Sequence, residues 1–270
     1  MTLYRYNSWS EFVAEYRKPP TPGNNGESSK TNDDTNSFTG CTVAEWERME
    51  VSGWNSIRPE IASLTDKVTD DLRPLMVDTF QSRLGFRGSS VDMGKYLAGN
   101  PVHMRKVVPQ QIASFGRVVT ILVNGTFASG VPTSDIMRRG VAICALVECV
   151  HLMQHSSEVW VEFSVDGIRD HHSCLVNLKH ADDDLDIAKL MFALAHPAAL
   201  RRSWFRFMES RSIGEIQDIG RTYGHPKATT QGDYVGANID LPLLKYPFPD
   251  AEVWVRKYLM EYGLLGEGED

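Results

Sequence analysis

The sequence predicts an α/β protein: an open, mainly parallel sheet with helices on both faces, and helical additions at its N- and C-terminal ends. Three stretches carry that expectation. Residues 118–123 read VVTILV, an unbroken apolar and β-branched run of the kind found in a strand covered on both faces. Residues 133–153 follow with apolar positions at Ile136, Val141, Ala142, Ala145, Leu146, Cys149, Leu152 and Met153, a helical spacing with Thr133 and Ser134 as N-cap candidates. Residues 158–165 and 173–180 then read as two more strands. Asp182, Asp183 and Asp184 open a further helix, since carboxylates are favoured at its positive end. Strand, helix, strand, strand, helix is the order of an open sheet. Such sheets bind ligands at the carboxyl ends of their strands.

The other elements fall around this core. Residues 7–18 form a short amphipathic helix with Ser8 and Glu11 in a capping box and Trp9, Phe12, Val13 and Tyr16 on one face. Pro19 and Pro20 stop it. Residues 19–40 have almost no apolar side chain and read as a linker or surface loop. Thr42 and Glu45 make a second capping box, and Gly53 ends that helix. Residues 54–68 continue as helix, with Pro59 near its start. A strand is expected at 75–80 and a short helix at 91–97, capped by Ser90. Pro197 begins a helix that turns Leu200, Trp204, Phe205 and Met208 inward. Residues 238–244 form a late edge strand bounded by Pro242, and Asp250 caps a last amphipathic helix. The chain divides into an N-terminal helix (1–18), a loop (19–40), a mostly helical region (41–112), the α/β core (113–215) and a C-terminal loop, strand and helix (216–270).

Composition narrows the function. Apolar residues make up 42% and charged residues 23%, as in ordinary soluble proteins. A net charge of −7 and a pI near 5.6 argue against broad binding to a phosphate backbone. No apolar run approaches the ~18 residues of a membrane span, and the N-terminus lacks the order of a signal peptide. Cys41, Cys144, Cys149 and Cys174 show no metal-type pairing and read as buried thiols in a reducing compartment. No phosphate loop, dinucleotide fingerprint or nucleophile elbow is present.

Four groups could carry chemistry. The first gathers Asn124, Thr126 and Ser129 after the buried strand with Asp182, Asp183, Asp184 and Asp186, because a hard divalent ion wants several oxygens from loops at one sheet edge. The second is His151 and His155 with Glu148 on one helix, which reads better as a solvated helix end. The third is His171, His172, Cys174 and His180, too few convergent ligands for zinc. The fourth is the basic row Arg201, Arg202, Arg206 and Arg211. Arg201 and Arg202 cannot both face inward, so at least one is available to an acidic partner or, less favoured, nucleic acid. Glu209, Glu215 and Asp218 follow closely, however, and the row reads better as a solvated helix face.

The polar turn after the first core strand, followed by helix, strand, hairpin strand and Asp-started helix, resembles a von Willebrand A domain of the cobaltochelatase accessory-subunit type. The resemblance covers about a third of the chain and implies a Mg²⁺ site at that turn. Here Asn124 stands at the family's first Asp, Thr126 at its first Ser and Ala128 at its second, so a degenerate site is expected, with no resident cofactor and Mg²⁺ as the ion it would take. The resemblance also implies an AAA+ ATPase as a partner. Phrases such as Tyr96-Leu97-Ala98-Gly99-Asn100-Pro101 and His196-Pro197 resemble an uncharacterised family of tailed-bacteriophage proteins, which implies the cytoplasm of a bacterial host. Two readings follow: a non-enzymatic protein-interaction module with no membrane association, or a Mg²⁺-dependent or nucleic-acid-processing enzyme using the 182–186 loop. They part on whether those carboxylates converge on Asn124 and Thr126.

Overall fold

In the computed structural model, which describes residues 1–18, 38–70, 78–111, 116–220 and 223–265, strand β5 (Val118–Asn124) is an interior strand of a mixed sheet. It runs parallel to β6 (Ser156–Asp166) on one side and to β9 (Ile239–Leu241) on the other. β7 (His171–Lys179) returns antiparallel to β6, and β1 (Thr2–Tyr6) lies parallel to β7. The order is β1-β7-β6-β5-β9, and the two-residue β8 (His225–Pro226) adds to the end of β6. The α/β class and the doubly covered strand at 118–124 are as expected, with Val119, Ile121 and Val123 all buried. The middle of the sheet is β6, however, and β5 lies one strand in from the edge. β1 was not expected. Its five residues pair on one side only and leave too short a pattern to read.

Alternation along β6 and β7 divides the sheet into two unlike faces. Val159, Val161, Phe163 and Val165 share one face with Cys174 and Val176, all buried. Helix α1 (Trp9–Tyr16) packs here, its Phe12 stacked on Phe163 at 6.0 Å, so the N-terminal helix docks on its own core. The crossover helix α5 (Thr133–Leu152) carries Gly140, where a Cβ would come within 2.1 Å of the Cβ of Ala195 in α6 (Ile187–Ala195). Only glycine lets the two helices approach this closely. After α6, Pro197 begins the next helical segment, as expected. It continues as π-helix (Ala199–Trp204) and then α7 (Phe205–Glu209), with Trp204 stacked on Phe163 at 5.1 Å.

The opposite face is polar. It carries Asn124, Glu162, Ser164, Ser173 and Asn177, buried beneath the strap 228–231 and the short helix α9 (Gly232–Val235). Glu162 holds the strap by accepting from Ser173, from the Thr230 hydroxyl and from the backbone N–H groups of Thr230 and Gln231. Helices therefore lie on both faces, but unequally.

Around the core, α2 (Val43–Ser52) opens with the expected Thr42–Glu45 capping box and stops at Gly53. α3 (Arg58–Asp70) and the C-terminal α10 (Ala251–Glu261, capped by Asp250) complete the helical layer, and α8 (Ile213–Ile219) follows α7. Several expectations shift. The cap of α5 is Pro132 without a side-chain bond, while Asp135 accepts the N–H of Phe248 at 2.9 Å. α6 starts after Asp186, whose carboxylate accepts from the N–H of Lys189, and the 182–184 triplet precedes it as an exposed turn. Residues 19–37 and 75–77, expected as loop and as strand start, lie outside the described residues.

The largest departure is at 78–111, inside the region expected to be mostly helical. Here β2 (Asp78–Gly85) pairs antiparallel with β4 (Met104–Gln111), β3 (Ser90–Val91) adds to β4, and one turn of helix, α4 (Met93–Leu97), joins them. Asp92, not Ser90, caps α4 and also binds Arg105 at 2.8 Å. The hydrogen bonds described for residues 84–105 all stay within this three-stranded arm. No helix among the described residues is long and apolar enough to cross a membrane.

Candidate functional site

The corner at the carboxyl end of β5 and the surface of the arm are opposites in burial. At the corner, Asn124 is fully buried and its side chain is spent internally. Its Oδ1 accepts from the N–H and hydroxyl of Thr126, and its Nδ2 donates to the carbonyl of Lys227 at 2.6 Å. Gly125 follows because a Cβ there would come within 2.6 Å of Val161 and 2.8 Å of Phe163. From α5, Arg139 donates to the carbonyl of Asn124 and, at the same 2.8 Å, to that of Pro242 beyond β9. Burial pushes its guanidinium down to about 10. The cavity left among Val123, Gly125, Phe127, Ile136, Arg139 and His196 is about 10 Å³, room for one water.

Ser129, exposed itself, has its carbonyl taken by Arg201, which also donates to the carbonyls of Val131 and Phe38. Arg201 lies over the rings of Phe38 and Phe127 at 4.2 and 5.3 Å. The corner expected to gather oxygens around a cation is thus braced by two guanidinium groups of the chain itself.

Asp182 and Asp184 are not part of that corner. β7 runs antiparallel to β5 and β6, so the loop that follows it emerges at the opposite edge, where Lys179 is beside Ser157 and Val159. Asp182, Asp183 and Asp184 are exposed there. Asp183 accepts the N–H of His180 at 3.1 Å. Among the described residues no three of His, Cys, Asp and Glu are grouped to hold a metal ion.

The arginine row is placed differently from expectation as well. Arg201, Arg202 and Arg206 are 3%, 1% and 1% exposed. Arg202 donates to the Thr39 hydroxyl and the Cys41 carbonyl, and Arg206 lies 3.9 Å from Glu209. The π-helical turn changes the spacing, so that Arg201 and Arg202 both reach inward and clamp carbonyls of the returning chain. Arg211 is shielded too, between Glu15 and the rings of Tyr4 and Phe207.

The histidines disperse. His151 is 3.1 Å from the Ser157 hydroxyl, His155 accepts the N–H of Arg117, and Glu148 accepts from Thr65. His171 binds Asp166, while His172 meets the buried Asp218 at 2.7 Å. Its Nδ1 has no hydrogen-bond partner among the described residues. The His172 contact, with the Arg169 and Asp170 N–H groups, holds the Asp218 carboxyl down at about 2. This pair anchors α8 to the hairpin. A further cavity, about 350 Å³, opens among Tyr16, Arg17, Trp46, Glu47, Glu50 and Arg206. Its buried Glu50, raised by burial, accepts from Tyr16 and Arg17.

The arm is the opposite of the corner. No residue from 84 to 105 is buried. Phe86 and Leu97 are 75% and 78% exposed, and Leu84, Val91, Met93 and Tyr96 join them at the surface. Sequence reading missed this surface because exposure of an apolar residue depends on whether anything packs over it.

A family model described as a domain of unknown function (DUF7192) matches residues 1–265. The chain belongs to the DUF7192 family. No curated protein and no solved structure matches it. The DUF7192 fold must therefore be read for function from its own geometry, and it offers a filled strand-edge corner and an uncovered arm.

Proposed function

We propose that this protein is a non-enzymatic protein-interaction module. Its α/β body is a scaffold, and the 78–111 arm is the element that docks. The observation that carries the reading is the arm's surface: regular strands and a helical turn with no buried residue between 84 and 105, and six large apolar side chains in solvent. Large apolar side chains left in solvent on so small a unit point to an interaction site in soluble proteins.

The strand-edge corner supports the same reading. Arg139 and Arg201 put positive charge where an ion would need ligands, which favours a degenerate metal site over a Mg²⁺-dependent enzyme. The resemblance to a von Willebrand A domain belongs to this proposal, supported by the succession β5, α5, β6, antiparallel β7 and α6. An AAA+ ATPase partner and a bacteriophage setting in a bacterial cytoplasm rest on the resemblances alone.

The test is a photo-crosslinking residue placed at Leu97 in cells that make the protein, with the same residue at Ile168, which is 79% exposed on the hairpin of the body, as control. A discrete protein adduct is expected from position 97 and none from 168. No adduct from 97 would end the reading.

A further inference from the structure

The arm differs from the rest of the chain in charge as well as in burial. Residues 78–111 hold five Lys or Arg against two Asp, a net charge of +3, which leaves −10 on the remainder of a chain whose total is −7. Within the arm Asp92 is committed: it caps α4 and pairs with Arg105. Arg87 and Lys95 therefore border Phe86, Met93, Tyr96 and Leu97 with positive charge. Short antiparallel units gain independent stability by packing apolar side chains, and among the described residues those from 84 to 105 are left unburied.

We propose that the arm docks on the acidic body of a second copy of this chain, the two copies exchanging arms. This rests on the reading of 78–111 as the docking element and names its occupant. Three observations select a second copy. Its body carries the opposite charge, so approach is steered and the apolar residues at the centre are then desolvated. Exchange between two copies covers both arms at once, giving a closed two-fold assembly. The unburied stretch 84–105 also matches the roughly 20–30 residues a side that a stable interface uses. A nucleic acid fits less well: of the six exposed apolar side chains only Phe86 and Tyr96 offer a stacking surface, and the remaining −10 repels a polyphosphate.

Sedimentation of the purified full chain tests this. The wild type is expected as a dimer at about 10 μM in low salt, with dissociation rising about tenfold when ionic strength increases tenfold, as screening weakens the charge contribution. The double variant Phe86→Asp with Leu97→Asp should sediment as a monomer with unchanged circular dichroism, since neither side chain is buried. Arg87→Glu with Lys95→Glu should weaken dimerisation about tenfold while leaving the apolar residues intact. A wild type that stays monomeric to about 100 μM, a Phe86→Asp/Leu97→Asp variant that remains dimeric, or an Arg87→Glu/Lys95→Glu variant with unchanged dimer affinity overturns the inference. A monomeric chain that still gives a heterologous adduct from position 97 overturns the second copy alone and leaves the interaction reading standing.

Discussion

Arg139 donates a 2.8 Å hydrogen bond to the main-chain carbonyl of Asn124, joining the middle of the crossover helix to the end of β5. The other guanidinium nitrogen reaches Pro242 after the neighbouring strand, so one buried side chain ties three elements at the sheet's carboxyl edge. Removing it leaves two carbonyls without a donor. Arg139→Ala is expected to lower unfolding free energy by about 3 kcal/mol in denaturant titration. Arg139→Lys should recover less than half, because a single ammonium lacks the fork that spans both oxygens. A loss below about 1 kcal/mol would show that the brace is dispensable.

The same brace gives a prediction for Mg²⁺. A ligand that binds only the native state raises its melting temperature by mass action. With Arg139 and Arg201 at the corner and Asp182 and Asp184 at the far edge, millimolar Mg²⁺ is expected to leave the midpoint unchanged. A rise that vanishes in Asp184→Asn would instead favour the enzyme reading.

His196 supplies a pH dependence. It is buried at the start of the π-helical segment, its Nδ1 accepts the N–H of Ala198, and burial holds its pKa down at about 4 against the ordinary 6.5. Glu45 pulls that value up, while Arg202 adds to the depression. The folded pKa lies below the unfolded one, so this stability is complete above pH 6.5 and is lost as pH falls towards 4, by about 2–3 kcal/mol. In His196→Asn, whose Oδ1 can take the same N–H, that loss between pH 6.5 and 4 should disappear. Identical acid profiles for variant and wild type would refute the assignment.

Gly140 and Gly214 form a paired test of packing. A Cβ at 140 strikes Ala195 in α6, whereas at 214, in α8, it meets nothing within 4 Å. Gly140→Ala should cost about 2 kcal/mol or more through overpacking. Gly214→Ala should be neutral or stabilising by up to about 1 kcal/mol through helix propensity. Equal effects at both positions would mean that α5 can shift away from α6 at no cost.

Much of the fold is legible in residue order. The run 118–123, the Thr42–Glu45 capping box, Gly53 as a stop, and Asp250 as a cap all act through local periodicity or a bond spanning three residues. The candidate site was less legible. Asn124 and Thr126 were found because they follow a strand, but Arg139, fifteen residues on, carries no local mark of its role. Asp182 and Asp184 lie at the far edge because the hairpin strand β7 runs back, so the loop after it leaves the sheet at the end opposite Asn124. That one of Arg201 and Arg202 faces outward follows from an α-helical spacing that the π-turn replaces.

The sequence by itself determined the α/β class, the buried interior strand and most helix ends, because these depend on hydrophobic period and on caps close in the chain. Only the tertiary structure decided which loops share a sheet edge, which cations turn inward, and that residues 78–111 form an arm with a sheet of its own. Those outcomes depend on contacts between distant segments. An exposed Leu97 and a buried Leu244 differ by what packs over them, and nothing in their own neighbourhoods records it.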